Sequence, residues 1–509
     1  FETVRPEINF PRDEAAILDL WKTHGIFQKT LEATAHSDKG TFVFYEGPPT
    51  ANGVPHNGHV LTRVIKDLFP RFKTMQGFHV PRKAGWDTHG LPVEVEVSKE
   101  LRIPDKAGIE AYGIEPFTQK CIESVFRYTT EWERITEKIG FWVDLPKAYV
   151  TFHKHYVESV WWALANLFDK GLLYQGHKVV WWWAQGGTAL SSHEVGLGWK
   201  TVDDPSVIVR LPLRDDPSTS LLVWTTTPWT LPSNVYAAVG ADVDYAIVRD
   251  EGDRKMIVAE ALRPVLEKQL KRTLEVLEVR KGRDLVGLSY RPPFDIFFDK
   301  HAELKAKTAE GESRAFWRVL AADFVTLDTG TGIVHIAPAF GEDDFALHRK
   351  LVASYQNAEV IPLPCAVKAD GRFVDEMGGA YAGRWVKECD KDLTRELEQR
   401  GLLVHAEPYR HDYPFCWRSD NDPLIQLARP AWYIRTTERI QNAIDDNQAV
   451  FWLPEHIKDG RFGDFLANNV DWALSRERYW GTPLNVWVCS ANAEHKHAPD
   501  SVEAIRKLN

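Results

Sequence analysis

The chain has 509 residues, too many for one ordinary core, and the usual domain size suggests about three folded units. Hydrophobic residues make up 44% and charged residues 26%, the balance of a soluble globular protein, and no run of about 18 apolar residues is available to span a bilayer. A formal net charge of −10 gives no overall electrostatic pull toward nucleic acid, so any such binding must use local patches.

Phe1 to Phe10 lack the basic and apolar regions of a signal peptide, and no initiator Met is present, so the natural start is expected to lie upstream. Five scattered cysteines (Cys121, Cys365, Cys389, Cys416, Cys489) argue against a disulfide framework and for a reducing, cytoplasmic setting. Thr41 to Tyr45 is an apolar, β-branched run stopping at Gly47-Pro48-Pro49, which predicts a buried, central parallel strand ending in a turn. Val60, Val64, Leu68 and Phe72 then share one face of a helix over 60–73. A second helix is expected through Val157, Trp161, Leu164 and Phe168, with Gly171 as its C-terminal cap. From about Lys200 the texture changes to short strands (Val207–Leu211, Leu221–Thr226, Tyr245–Val248, Gly332–Ala337), the signature of a mostly β insert. Beyond about Gly401 the sequence becomes Pro- and Trp-rich, and Trp472 to Tyr479 reads as a return to the first domain.

His56-Asn57-Gly58-His59 falls between the first strand and the first helix. A helix N-terminus offers free amides and a positive dipole end, and glycine lets phosphate approach the backbone, so the loop suits a nucleotide. Histidines there could donate to charge developing at an attacked phosphate. Read alone, the string is equally a polar turn, and half a metal site is a third reading. GPPTANG at 47–53 and AGWDTHGLPVE at 84–94 accompany it.

FYEGPPTANG, HNGH and GWDTHGLPVE together resemble the isoleucine-specific class I aminoacyl-tRNA synthetases. The resemblance implies an α/β fold: a Rossmann-type catalytic domain split by a mostly β editing domain, with boundaries expected at 1–199, 200–400 and 401–509. It implies an enzyme that forms the isoleucyl adenylate from isoleucine and ATP with Mg2+, loads tRNA(Ile), and hydrolyses misloaded Val-tRNA(Ile). By the same resemblance His56, Gly58 and His59 bind ATP, with both histidines catalytic. Asp87 holds the substrate ammonium, Pro48, Trp432 and Trp472 form the side-chain slot, and Asp464 contacts the adenylate ribose. Asn57 departs from the apolar residue usual in that family.

LLVWTTTPWTLPSN at 221–234 and GTGIVHIAP followed by GEDDF at 330–345 resemble the family's editing domain. Read from composition alone, the threonines are an ordinary strand and the acids a helix N-terminal cap. The resemblance gives Thr225, Thr226, Thr227 and Asn234 the terminal adenosine and substrate, Asp344 the ammonium of the misloaded amino acid, and His335 the limit on pocket size. Such a site has a physical purpose, because one methylene is worth only about 1–3 kcal/mol of discrimination in a hydrophobic pocket.

No zinc is expected: where related enzymes carry Cys-x-x-Cys pairs, this chain has Trp183 and Gly186, and Cys416 with Ser419. Cys489 with His495 and His497 reads as a solvated tail rather than a late metal site. No KMSKS-like loop or anticodon-binding domain occurs before Asn509, so a truncated chain is expected. A monomer without membrane contact is expected. Alternatives are a valine- or leucine-specific relative, a fragment acting only as a tRNA-editing deacylase, and a non-catalytic RNA-binding protein.

Overall fold

The computed structural model describes residues 7–50, 53–309, 311–417, 419, 421–492 and 494–508. Ala51 and Asn52 of the GPPTANG run, and residues 1–6 of the N-terminal segment, lie outside them. The chain divides into two bodies, one built from residues 1–174 and 433–509 and the other from 175–432. The expected boundaries at 199/200 and 400/401 both fall inside the second body.

In the first body, β1 (Phe44–Tyr45), β2 (Arg82–Trp86) and β3 (Asp144–Val150) form a parallel sheet in the order β1-β2-β3. Between β1 and β2 runs α1 (Asn57–Met75), and after β2 comes α2 (Leu91–Leu101). The strand expected at Thr41 to Tyr45 is parallel, but within this sheet it is neither buried nor central. Val43 and Tyr45 are 62% and 66% exposed, whereas Ala84, Gly85 and Trp86 of β2 are buried, so β2 takes the middle. Phe42 and Phe44 alternate with outward residues that happen to be apolar, and an apolar run cannot by itself distinguish one buried face from two.

The helix α1 is where its spacing predicts, yet its shared face is open: Val64, Leu68 and Phe72 are all more than half exposed. Its buried residues are Arg63 and Pro70. The helix α3 (Lys154–Asp169) buries Trp161 and Leu164. Gly171 follows at φ +70° and its N–H donates to Phe168 O (2.9 Å), the left-handed stop expected for that glycine.

The second body is built on a nine-stranded sheet with one large apolar core and a second, smaller buried cluster. Its strands are β4 (Trp199–Pro212), β5 (Thr219–Thr225), β6 (Tyr236–Val239), β7 (Asp244–Arg249), β8 (Lys255–Ala259), β9 (Val276–Lys281), β10 (Arg318–Ala321), β11 (Ile333–Ile336) and β12 (Leu403–Pro414). The order is β9-β7-β8-β5-β11-β6-β10, with β4 pairing both β5 and β12. All four strands expected in the insert are present. Fully buried Tyr236, Tyr245, Phe316 and Trp317 fill the core, each contributing on the order of 1.5–3 kcal/mol through burial. Two helices, α4 (Glu342–Ala353) and α5 (Asp390–Gln399), complete the part that bears on function.

Where related enzymes have a first cysteine pair, the Trp183 ring lies against Gly186 so closely that a Cβ there would clash, and Trp183 Nε1 donates to Asp422 (2.9 Å). Trp182 is buried and donates to Ala369 O (2.6 Å), and Trp181 meets Tyr413 edge-on. Among the described residues, no three His, Cys, Asp or Glu side chains converge as a metal site.

Candidate functional site

In the first body the loop after β1 is held by the helix that follows it. His56 is the N-cap of α1: its Nδ1 accepts from Gly58 N (3.2 Å), while His56 N donates to His59 Nδ1 (3.1 Å). Because both Nδ1 atoms accept from backbone N–H groups, each neutral ring carries its proton on Nε2. The two rings lie 3.7 Å apart, and His59 also meets Trp132 edge-on at 4.7 Å. Burial, followed by the nearby charges of His56, Arg63 and Lys66, lowers the His59 pKa, so it is a neutral donor near pH 7.

Two cations on α1 reach back to the strand end. Lys66 Nζ donates to Gly47 O (2.9 Å), and Arg63 forms a buried ion pair with Glu46 (3.6 Å). Burial raises the Glu46 carboxyl pKa, opposed by those same two cations. Trp132 Nε1 donates to Gly53 O (2.8 Å), and the Arg63 guanidinium stacks over the Trp132 ring at 4.8 Å. Glu46 belongs to the FYEGPPTANG string but has no expected role there, and Arg63, Lys66 and Trp132 do not stand out in the sequence.

Asp87 leaves the carboxyl end of β2. Its N–H donates to Pro49 O (3.0 Å), and Thr50 bridges Asp87 in parallel register, which puts this acid beside the Pro48-Pro49 turn. Burial raises the Asp87 pKa, moderated by the His89 backbone N–H. The turn after it is clamped by the returning C-terminal segment. Trp480 Nε1 donates to Thr88 O (2.6 Å), Gly90 N donates to Trp480 O (3.2 Å), and Glu94 accepts from the Tyr479 and Trp480 N–H groups (3.2 and 3.1 Å). His89, held neutral by burial with its pKa near 4, packs edge-on against Trp480.

Trp472 and Asp464, also expected at this site, are less engaged. Trp472 pairs with Ile434 and is 57% exposed, and Asp464 lies on the helix Arg461–Ala467. No hydrogen bond, ion pair or ring contact among the described residues joins either to Pro48 or Asp87. Trp432 closes the second body.

The second body brings the other expected residues together. Strands β5 and β11 run parallel, with Val334 opposite Trp224, so the Thr225–Thr227 loop and Ala337 leave the sheet at the same edge. Thr225 Oγ1 accepts from Thr227 N (3.1 Å) and lies 3.1 Å from Thr227 Oγ1. Thr226 is half-buried, and its hydroxyl has no partner among the described residues. Asn234 and Thr230 contact the two nitrogens of His335 at 2.9 and 3.1 Å, and burial lowers the His335 pKa to about 4.

Asp344 sits in the first turn of α4, where a helix cap is the simplest reading. Its carboxylate accepts from its own N–H in that turn and also reaches back to the strand end, accepting from Ala337 N (2.7 Å). Burial raises its pKa to about 6, although the Ala337 N–H pulls the other way. The edge therefore holds a half-buried carboxylate, a neutral imidazole and a set of hydroxyls. Such a group can pair an ammonium, orient an ester and position water, and it contains no strong protein nucleophile.

The described residues include no helix long and apolar enough to cross a membrane. A family profile described as "tRNA synthetases class I (I, L, M and V)" matches residues 16–509. The chain is 46% identical over 494 residues to the isoleucine–tRNA ligase of Bacillus thuringiensis, covering 97% of this chain and 45% of that protein. It is 47% identical over 490 residues to that of Thermus thermophilus (95% and 44%) and 44% identical over 507 residues to that of Clostridium acetobutylicum (100% and 46%). The chain thus spans about half the length of the curated relatives it matches. With the strand–HNGH–helix unit, the buried acid beside the Pro48-Pro49 turn and a profile match over nearly its whole length, the chain belongs to the class I tRNA synthetases of the isoleucine, leucine, methionine and valine group.

Proposed function

We propose that this chain carries the isoleucine-activating and tRNA-proofreading parts of an isoleucine–tRNA ligase. Identity of 44–47% to isoleucine–tRNA ligases along nearly the whole chain supports this specificity over the leucine and valine ones. In this reading ATP enters with Mg2+ as substrate, and its phosphates meet the amides of α1 and the Nε2–H donors of His56 and His59, with Gly58 allowing close approach. Asp87 pairs the isoleucine ammonium. Pro48 and Trp472 are assigned to the side-chain slot and Asp464 to the ribose on the resemblance alone.

In the second reaction Asp344 pairs the ammonium of a misattached valine, and the Thr225–Thr227 hydroxyls hold the ester and the terminal adenosine. Asn234 supports that site through His335, whose ring limits the side chain admitted. Water adds to the ester carbonyl, the carbon–oxygen bond to the ribose breaks, and valine and the free tRNA hydroxyl leave. The observation that carries this reading is the convergence of Asp344, His335 and the threonine loop at the shared edge of β5 and β11. Release of valine from Val-tRNA(Ile), measured beside isoleucine-dependent ATP–pyrophosphate exchange, tests both halves.

A second reading, in which the chain as it stands performs only the hydrolysis, is favoured by one observation. The apolar row of α1 lies open, whereas the second body encloses its core. Hydrolysis without exchange would select it.

A further inference from the structure

The amide of Asn234 is 2% exposed and fully engaged within the protein. Its Nδ2 lies 3.1 Å from Tyr236 O, which can only accept, so the nitrogen end of the amide is fixed there. The same Nδ2 is 2.9 Å from His335 Nδ1, and Asn234 Oδ1 accepts from the Tyr290 hydroxyl at 2.8 Å. Since Nδ2 can only donate, His335 Nδ1 must accept, and the ring proton must sit on Nε2. From there it points at Thr230 Oγ1 (3.1 Å), whose own hydrogen goes to Thr227 O (2.9 Å). The result is one directed chain: Tyr290 O–H to Asn234, Asn234 N–H to His335, His335 N–H to Thr230, and Thr230 O–H to the backbone of the threonine loop.

Resting on the proofreading reading above, we infer that Tyr290 is a positioning residue for hydrolysis: through Asn234 it fixes the Nε2–H tautomer of His335 and so the direction of every hydrogen bond into the threonine loop. Tyr290 is completely buried, and its main chain is held by backbone bonds from Tyr290 N to Trp317 O (3.0 Å) and from Arg291 N to Pro212 O (2.8 Å). Trp317 Nε1 in turn donates to Asn234 O (2.9 Å), which secures the same residue from the backbone side. Without the Tyr290 hydroxyl, two arrangements remain and both are poor. Either Asn234 Oδ1 is left buried without a donor, or the amide turns over, opposes its oxygen to Tyr236 O and forces the His335 proton onto Nδ1. The second arrangement reverses the bond to Thr230, whose hydroxyl then no longer holds Thr227 O. Burial keeps the imidazole neutral, so its tautomer and not its charge is the variable.

The test is Tyr290→Phe in the intact protein, read in two ways. The first is 15N NMR of histidine-labelled protein near pH 7.5, with His335 assigned by comparison with His335→Gln. The wild type should show the Nε2–H tautomer, and Y290F a mixture or the Nδ1–H form. The second is Val-tRNA(Ile) deacylation, where kcat should fall about tenfold while KM stays within about threefold, as expected for lost orientation rather than lost binding. A wild type without deacylation would defeat the proofreading reading but leave the tautomer measurement standing. Should Y290F not fold, Asn234→Asp asks the same question, because a carboxylate there accepts from both Tyr290 and His335 and should drive His335 to Nδ1–H. Retention of the Nε2–H form in the folded variant, or Y290F hydrolysis within twofold of wild type, would overturn the inference.

Discussion

The carboxylate of Asp344 accepts a 2.7 Å hydrogen bond from the Ala337 N–H as well as from its own N–H, so it ties the first turn of α4 to the end of β11. This contact places a half-buried carboxylate two residues beyond His335 in the strand direction, at the edge where the threonine loop also emerges. Burial holds the Asp344 carboxyl near pKa 6, above its ordinary range. It is ionised above that pH and able to pair an ammonium, and protonation removes the pairing. Deacylation kcat/KM is therefore expected to fall about tenfold per pH unit below about 6. An Asp344→Asn variant should be slow and lack this limb, and an unchanged acid limb in that variant would assign the titration elsewhere.

On the nucleotide side, His59→Ala should lower isoleucine-dependent ATP–pyrophosphate exchange by about 10² or more, the size expected for losing a donor aimed at developing charge. His59 also accepts from His56 N, so part of the loss reflects a loosened loop. Deacylation of preformed Val-tRNA(Ile) should stay near wild type, and an equal loss in both assays would indicate unfolding instead.

Gly85 lies directly under the Tyr149 ring, so a Cβ there must push the ring or part β2 from β3. The Tyr149 hydroxyl donates to Glu46 O (3.1 Å), so displacing it also disturbs the start of the nucleotide loop. Gly85→Ala is expected to cost about 1–3 kcal/mol in urea unfolding, the usual cost of overpacking. Adding Tyr149→Ala should recover part of that loss, and a neutral G85A would contradict the close packing.

Much of both sites could be read from short strings. GWDTHG starts at the end of β2, HNGH caps and opens α1 with its last three residues already inside the helix rather than before it, and the strings around Thr225 and His335 occupy neighbouring parallel strands. What could not be read depends on contacts closed only by folding. Tyr149 reaches Glu46 across 103 residues and Tyr290 reaches Asn234 across 56, and neither tyrosine lies in a patterned segment. The open face of α1 shows a different limit. Spacing identifies Val64, Leu68 and Phe72 as sharing a face but carries no information about what covers it. Likewise Asn234 was expected to touch ligand, whereas its amide is occupied on both ends by Tyr236, His335 and Tyr290.

Asp390 gives a prediction for stability. It is 5% exposed, accepts from Trp229 N (2.9 Å) and has its pKa raised to about 8, first by burial and also by Asp204, against the pull of Lys387. The folded state thus binds this proton more tightly than the unfolded chain does. The resulting stability is full below the ordinary carboxyl range and is lost as pH rises toward about 8. Between pH 5 and 8 the wild type should lose at least about 1 kcal/mol relative to Asp390→Asn, the equivalent of one pKa unit. Parallel urea curves at the two pH values would contradict it.

The central claim is that a hydrolytic site distinct from the activation site is organised around Asp344. Its most direct measurement is Val-tRNA(Ile) deacylation by Asp344→Ala, made alongside isoleucine-dependent ATP–pyrophosphate exchange by the same preparation. Single Thr225, Thr226 and Thr227→Ala variants serve as comparison, and should act more mildly because each hydroxyl is one of several donors. The expected result is a fall in hydrolysis of about 10² or more with exchange near wild type, since a misplaced ammonium costs the ester its orientation as well as its affinity. Near-normal hydrolysis by Asp344→Ala would contradict the claim, reducing Asp344 to a tie between α4 and β11.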